Sequence, residues 1–467
     1  MGVLGIAFFP RFFDNRLSLP DSLLRKPNLC RNREMRKILL TTFGSYGDLH
    51  PYLAMARVLK ANGDEVTIAT HADYQEQVER IGCRFVPVKP GLMELGPQHE
   101  WAKKANHWMR GTEFIIQSII MPYLEDGYHA IKQAAVGQDL IISHILCFAT
   151  PMVADELKIP WISTVLQPAT FFSAYDPPEL GFFNILPKLK FLGPKKLRWV
   201  MNTLAKGTDK WLKPIHEFRR EHGFPPEPRN VLVNGFSPFG TLALFSSSFL
   251  APQPDWPANT KQIGFPFFDE ETTSELSPET KAFLEAGPAP VIFTLGTAVV
   301  LMETPFYEIA YRAVKDLGLR AVFLVGKNPQ RVPAAAMTDP QIHVSAYEPF
   351  SKLFPHGSAI VHQCGIGTTA QALASGQPQV TVPFAHDQPD NARRIVELGC
   401  GVKIKAAWLS VQRMKAALST VTQSVEVQQC ARSFAAHPQV DGFGQGLRDA
   451  IEFFLANREK ATRLVTT

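Results

Sequence analysis

The chain has 467 residues, enough for two or three domains at roughly 100–200 residues each. Hydrophobic residues make up 45% and charged residues 19%, which excludes a mainly disordered chain. The net charge is +5 and no Lys/Arg block is long enough to read as a nucleic-acid arm, so an anionic small ligand or membrane surface is compatible but not demanded.

Residues 1–34 differ in character from the rest of the chain. Gly5 to Pro10 is apolar but short, and the basic residues Arg31 and Arg33 come after it, the reverse of a secretory signal. Met35 stands immediately before the first convincing strand, so 1–34 is expected to be a disordered extension. The strand Arg36–Thr42 ends in Phe43-Gly-Ser-Tyr-Gly-Asp48, and a helix is expected from Pro51, where a missing N–H costs nothing in a first turn. Strands at Glu65–Thr70 and Arg84–Val88 flank a helix over 74–81. Asp139–Ser143 and Trp161–Leu166 continue the alternation, with a helix at 150–157 between them. Residues 168–200 are rich in Phe, Pro and Leu with Lys188, Lys190, Lys195, Lys196 and Arg198 interleaved, and a helix is expected over 199–222. Leu242–Ser246 closes the first series. Prolines at 252, 254, 257 and 266 mark a linker. A second series comes next: strands Val291–Leu295, Arg320–Val325, Ile342–Ser345, Ala359–His362 and Gln379–Pro383, with helices at 304–316 and 368–375. Alternating strands and helices with short connections predict two successive α/β units with parallel sheets, Rossmann-like, facing a cleft.

Ligands in such sheets bind at the carboxyl ends of strands, so the turns carry the chemistry. Gly44-Ser-Tyr-Gly-Asp-Leu-His-Pro51 is not a dinucleotide fingerprint. Asp48 reads either as a helix cap or as a general base, and His50 either as a surface histidine or as a competing base. The Leu295-Gly-Thr297 turn is a weak phosphate signal. The most informative stretch runs from His362-Gln-Cys-Gly-Ile-Gly-Thr-Thr369 through Gly376-Gln-Pro378 to Pro383-Phe-Ala-His-Asp-Gln-Pro-Asp-Asn-Ala-Arg393. Two glycines and two threonines open a helix whose N–H groups suit a diphosphate. Asp387, Gln388 and Asn391 form a cluster able to bond sugar hydroxyls. Alone, His362 would read as a core histidine. Six cysteines (Cys30, Cys83, Cys147, Cys364, Cys400, Cys430) form no CxxC pair and read as free thiols in a reducing, cytoplasmic compartment. No apolar run reaches the roughly 18 residues of a membrane span.

The 362–393 stretch resembles the donor-binding signature of the family 1 nucleotide-sugar glycosyltransferases, and Gly44-Ser-Tyr-Gly-Asp48 resembles that family's amino-terminal motif. The resemblance covers residues 36 to about 457 and implies the GT-B fold, an α/β fold of two Rossmann-like domains. Pro252–Pro257, Gly264–Asp269 and Ala385–Ala392 look like bacterial rhamnosyltransferases of rhamnolipid synthesis, and flavonoid and sterol glycosyltransferases are similar. The implied division is 1–34 extension, 35–250 acceptor domain, 251–270 linker, 271–440 donor domain and 441–467 helix crossing back to the first domain.

The resemblance implies a role for each position. Gly44, Ser45, Thr297, His362, Gly365, Ile366, Gly367 and Thr368 would line the donor diphosphate, with His362 donating to a phosphate. Tyr347 would stack on the nucleotide base beside Glu348. His386, Asp387, Gln388 and Asn391 would hold the sugar. Asp48 would be the base, with His50 as the rival, and His144, Phe171 and Phe172 would face an apolar hydroxylated acceptor. One departure is Cys364, in place of a small residue before Gly365, which makes the loop potentially thiol-reactive. The implied activity is inverting transfer of a hexose or deoxyhexose, without metal or cofactor, since no D-x-D triplet occurs. The basic stretch within 171–199 is compatible with peripheral contact with the inner face of a membrane. The rivals are a non-catalytic nucleotide-sugar binding protein and a nucleotide-sugar epimerase, which lacks the Asp-Gln-x-x-Asn-Ala element. Uridine or thymidine, glucose or rhamnose, the acceptor and the oligomeric state are left open.

Overall fold

The computed structural model describes residues 35–181, 184–269, 275–296, 304–326, 328–437 and 442–457. The extension 1–34 and Thr297 lie outside them. Two wholly parallel sheets organise the chain. The first holds β1 (Lys37–Thr41), β2 (Glu65–Thr70), β3 (Arg84–Pro87), β4 (Leu140–His144), β5 (Trp161–Val165), β6 (Gly240–Ala243) and β7 (Thr260–Gln262), in the order 3-2-1-4-5-6-7. The second holds β8 (Val291–Thr294), β9 (Ala321–Leu324), β10 (Ile342–Ser345), β11 (Ala359–His362), β12 (Gln379–Thr381) and β13 (Gly401–Lys403), in the order 10-9-8-11-12-13. Every residue of β4, β5, β8 and β11 is buried, as parallel strands covered on both faces require. The chain order reverses between β1 and β4 and again between β8 and β11. Crevices open at those two points, outside the carboxyl ends of the strands.

Several boundaries differ from expectation. The first helix is Tyr46–Ala61 and starts at Tyr46, not Pro51, because Ser45 and Asp48 form a capping box. Strand β7 lies inside the expected linker; three half-buried residues among prolines carry no readable alternation. Strand β6 begins at Gly240, earlier than expected. A Cβ there would meet the Phe454 ring at 2.7–2.8 Å, so the glycine admits a close-packed aromatic. Phe454 belongs to the helix Phe443–Ala456, which buries Phe443, Leu447, Ala450, Ile451 and Phe454 in the core of the first sheet. The helix expected over 199–222 is instead Pro194–Ala205, a 3-10 segment and Lys213–Glu221.

The halves share a core. Val165, Phe171, Phe245, Trp256 and Phe265 of the first pack with Cys364, Leu373, Ala392 and Ile395 of the second. Charges close the seam beside this cluster. Arg394, 3% exposed at its side chain, bonds both Asp176 at 2.6 Å and the fully buried Asp390 at 2.9 Å. Lys403 reaches Glu179 at 2.8 Å. The Asp390 carboxylate also accepts the Glu179 backbone N–H at 3.0 Å. No helix among the described residues is long and apolar enough to cross a membrane.

Candidate active site

Asp48 sits one turn into the first helix, beyond the carboxyl end of β1. Its Oδ2 accepts the Ser45 N–H at 2.8 Å and the Ser45 hydroxyl at 3.1 Å, which leaves Oδ1 directed elsewhere. Gly44 permits this geometry: its φ is +133°, and a Cβ would stand 2.3 Å from Asp48 Oδ2. One oxygen of Asp48 therefore belongs to the helix cap, and the other faces His144 Nε2 at 3.8 Å. His144 ends β4 and is buried. Its Nδ1 accepts the Leu146 N–H at 3.4 Å, so the neutral ring keeps its proton on Nε2, toward Asp48. Burial lowers the His144 pKa, against the opposing pull of the Asp48 charge.

His50 does not join this pair. Its ring is flanked by Tyr46 at 5.5 Å and Phe268 at 5.3 Å, on the apolar side of the helix. Two residues absent from the sequence expectations hold the Gly44 turn instead. His71 Nε2 accepts the Gly44 N–H at 3.2 Å, and the Tyr74 hydroxyl donates to the Gly44 carbonyl at 3.0 Å. His71 directly follows β2, and that position was the only sequence signal for it.

Across the crevice, the helix Ile366–Ala374 begins with Gly365 as an N-cap that offers no side-chain bond. The first-turn N–H groups of Ile366, Gly367 and Thr368 therefore have no capping side chain, the arrangement that favours an anion. Gly367 is exposed, and a Cβ there would meet nothing within 4 Å. Ile366 contributes only its backbone, because its side chain packs on the apolar clusters of both halves.

His362, the expected phosphate donor, is turned into the loop. It is fully buried; Nδ1 accepts the Cys364 N–H at 3.1 Å, so the proton sits on Nε2, bonded to Gln379 Oε1 at 2.9 Å. Both ring nitrogens are engaged, and burial drops its pKa to about 4. His362 shapes the loop. Cys364 corrects a second expectation: it is fully buried, accepts the Thr369 hydroxyl at 3.4 Å, and burial pushes its thiol up to about 12, so no reactive thiolate forms.

The loop after β12 carries the residues expected on the sugar side. Asn391 Nδ2 donates to Asp387 Oδ2 at 2.6 Å and to the Cys364 carbonyl at 3.0 Å, tying this loop to the loop after β11. Burial raises the Asp387 carboxyl to about 7; the Asn391 bond opposes the rise and the Asp48 charge adds to it. Gln388 is largely committed to structure, since its Oε1 accepts the Phe384 and Ala385 N–H groups at 2.8 and 3.2 Å. His386, held at φ +57°, reaches the other half, where its Nδ1 is 3.4 Å from the Thr112 hydroxyl. Gln363 Oε1 and Asn391 Oδ1 are buried with no hydrogen-bond partner among the described residues.

The remaining expected positions divide. Tyr347 is half exposed, with its backbone carbonyl bonded by Ser345. Glu348 is buried, and its carboxylate accepts the Ser277 N–H and hydroxyl at 3.1 and 2.6 Å, holding the N-cap of the helix Pro278–Glu285. Phe171 and Phe172 are 3% and 4% exposed, so they are core residues and not an acceptor wall. Phe171 stacks on Trp256 with centroids 4.2 Å apart.

Two family models match parts of the chain. Residues 38–175 match the glycosyltransferase family 28 N-terminal domain, and residues 322–441 match the C-terminal domain of erythromycin biosynthesis protein CIII-like proteins. O-mycaminosyltylonolide 6-deoxyallosyltransferase of Streptomyces fradiae is 29% identical over 372 residues, 79% of this chain and 85% of its own length. A sterol 3-beta-glucosyltransferase of Pichia angusta is 25% identical over 480 residues, 97% of this chain, which spans only 37% of that relative. The solved glycotransferase of kitacinnamycin superposes with a TM-score of 0.66 at 22% identity, over 91% of this chain and all of its own. VinC, solved in complex with dTDP, superposes with a TM-score of 0.60 at 20% identity, over 89% of this chain and all of its own. These likenesses establish the GT-B fold. With a family 28-type amino-terminal half and an EryCIII-like carboxyl-terminal half on that fold, the chain is a glycosyltransferase.

Proposed function

We propose that the chain transfers a hexose or 6-deoxyhexose, glucose or rhamnose, from a uridine or thymidine diphosphate sugar to a hydroxyl of an apolar small molecule. The observation that carries this reading is the pairing of Asp48, with one carboxylate oxygen outside the cap, against the Asp387–Asn391 pair and the uncapped helix start at Gly365. Asp48 takes the acceptor hydroxyl proton as that oxygen attacks the anomeric carbon, help worth about 10²–10⁴-fold. The departing diphosphate gains charge on the N–H groups of Ile366, Gly367 and Thr368. Asp387 and Asn391 hold sugar hydroxyls, and Tyr347 offers a face to the base. Direct displacement inverts the anomeric centre. The names of the relatives favour this donor range, since one is a 6-deoxyallosyltransferase and another a glucosyltransferase. They favour a macrolide-like or sterol-like acceptor, while a flavonoid or hydroxy-fatty acyl acceptor rests on the sequence resemblance alone. No metal is needed when the helix start and neutral donors carry the diphosphate.

The test offers purified protein dTDP-rhamnose, UDP-glucose, UDP-galactose and UDP-N-acetylglucosamine against a hydroxy-fatty acid dimer, a flavonol, a sterol and a macrolide aglycone. Products are read by mass and by anomeric coupling, with and without EDTA. One adduct of inverted configuration, insensitive to EDTA, is expected. Nucleotide binding without transfer would move the chain to a binding protein, and a retained anomer would exclude Asp48 as a base in direct displacement.

A further inference from the structure

Two adjoining elements of the amino-terminal half turn large apolar side chains outward. The short helix Leu186–Leu192 and the helix Pro194–Ala205 bury their inner faces in one cluster through Leu186, Leu197, Met201 and Ala205. Their outer faces carry Phe191, 80% exposed, and Trp199, 71% exposed, with Ile185 at 53% just ahead of the first turn. Lys195 and Lys196 are exposed and stand four and three residues before Trp199, which puts all three on one outward stripe. The basic residues of this stretch are not equivalent. Lys190 lies 4.0 Å from Asp176, and Arg198 pairs with Asp255. Lys188, Lys195 and Lys196 have no carboxylate partner among the described residues.

A solvated helix face normally carries polar side chains outward, and single exposed apolar residues are ordinary. Here a tryptophan, a phenylalanine and an isoleucine are all exposed within residues 185–199, a stretch that also carries three lysines with no carboxylate partner among the described residues. That combination fits a boundary where apolar bodies enter hydrocarbon and ammonium groups remain among phosphates. We propose that this face docks on an anionic phospholipid surface, with Ile185, Phe191 and Trp199 inserted and Lys188, Lys195 and Lys196 against lipid phosphates. The docking stands independently of the transfer reaction, and its failure would leave that reaction untouched.

The experiment is co-sedimentation of the full chain with vesicles of phosphatidylcholine alone and of equimolar phosphatidylcholine and phosphatidylglycerol, at low and high salt. Binding to the anionic vesicles that falls as salt rises is expected. Each of Lys195→Gln and Lys196→Gln should weaken it about fivefold. Trp199→Ala with Phe191→Ala should weaken it tenfold or more, on the order expected from two lost apolar insertions. All these positions are exposed, so melting temperature and transfer to a water-soluble acceptor should not change. No binding to anionic vesicles at low salt, or equal binding to the neutral ones, would overturn the proposal. So would self-association without vesicles that the same variants abolish, which would assign the face to a second copy of the chain.

Discussion

Asp48 has two tasks that a single substitution can separate. One oxygen closes the capping box with Ser45, and the other is directed toward His144. Asp48→Asn keeps a carbonyl oxygen for the Ser45 N–H and removes only the basic carboxylate. Loss of general-base help of about 10²–10⁴-fold corresponds to about 2.7–5.4 kcal/mol on the barrier. Asp48→Ala removes the cap as well, which costs about 1 kcal/mol of stability and lowers melting by about 2–4 °C in a unit the size of the amino-terminal half. Single-turnover transfer, calorimetric nucleotide binding and melting should be measured on both variants. Both are expected to lose transfer alike and to keep nucleotide affinity within a few-fold, while only the alanine variant melts earlier. Transfer by Asp48→Asn within tenfold of the parent would refute Asp48 as the base. Equal melting of the two variants would refute the cap.

The donor side yields three further expectations. Asp387 titrates near 3.8 when unfolded and near 7 in the fold, so the folded state holds its proton more tightly. The stability from that difference is present below about pH 4 and is lost as pH rises toward 7. Asp387→Asn should therefore be neutral at pH 4 and increasingly stabilising up to about pH 7, read as a melting difference against pH; a difference independent of pH would exclude the raised pKa. His362→Ala leaves Gln379 and the Cys364 N–H without their buried partner, at about 1–3 kcal/mol each. The protein should melt earlier yet bind nucleoside diphosphate below its melting range; unchanged melting with lost binding would restore His362 as a phosphate contact. Asp390→Ala leaves the buried Arg394 with Asp176 as its remaining carboxylate and should cost about 1.5–3 kcal/mol, read by denaturant unfolding. A loss under about 1 kcal/mol would show that the seam network is not a unit.

The alternation of buried strands with helices was legible because parallel strands covered on both faces leave apolar runs such as Leu140–Ile142 and Val291–Phe293. Short edge strands were not: β7 and β13 have three residues each, too few for any period. The loops after β1, β11 and β12 were legible as site loops because glycine, histidine and acidic residues cluster where strands end. The division of labour within those loops was not legible, since it depends on partners distant in sequence. Gln379 and the Cys364 N–H turn His362 inward, Ser277 draws Glu348 away, and Tyr46 and Phe268 hold His50 on the apolar side.

That division bears on how the site works. His71, Tyr74, His362, Gln388 and one oxygen of Asp48 are spent on fixing loops. The groups left over are Asp48 Oδ1, the Asp387–Asn391 pair with the unpartnered Asn391 Oδ1, and the open helix start at Gly365. They lie at the carboxyl ends of β1, β11 and β12. Asp48 comes from one sheet, and the other groups come from the second. On the proposed function, a site assembled from the two halves works only at one spacing of them, so the shared core around Phe171 and Cys364 and the Asp176–Arg394–Asp390 network would act as its supports. They would hold Asp48 in register with Asp387, Asn391 and the helix start at Gly365 before any substrate arrives.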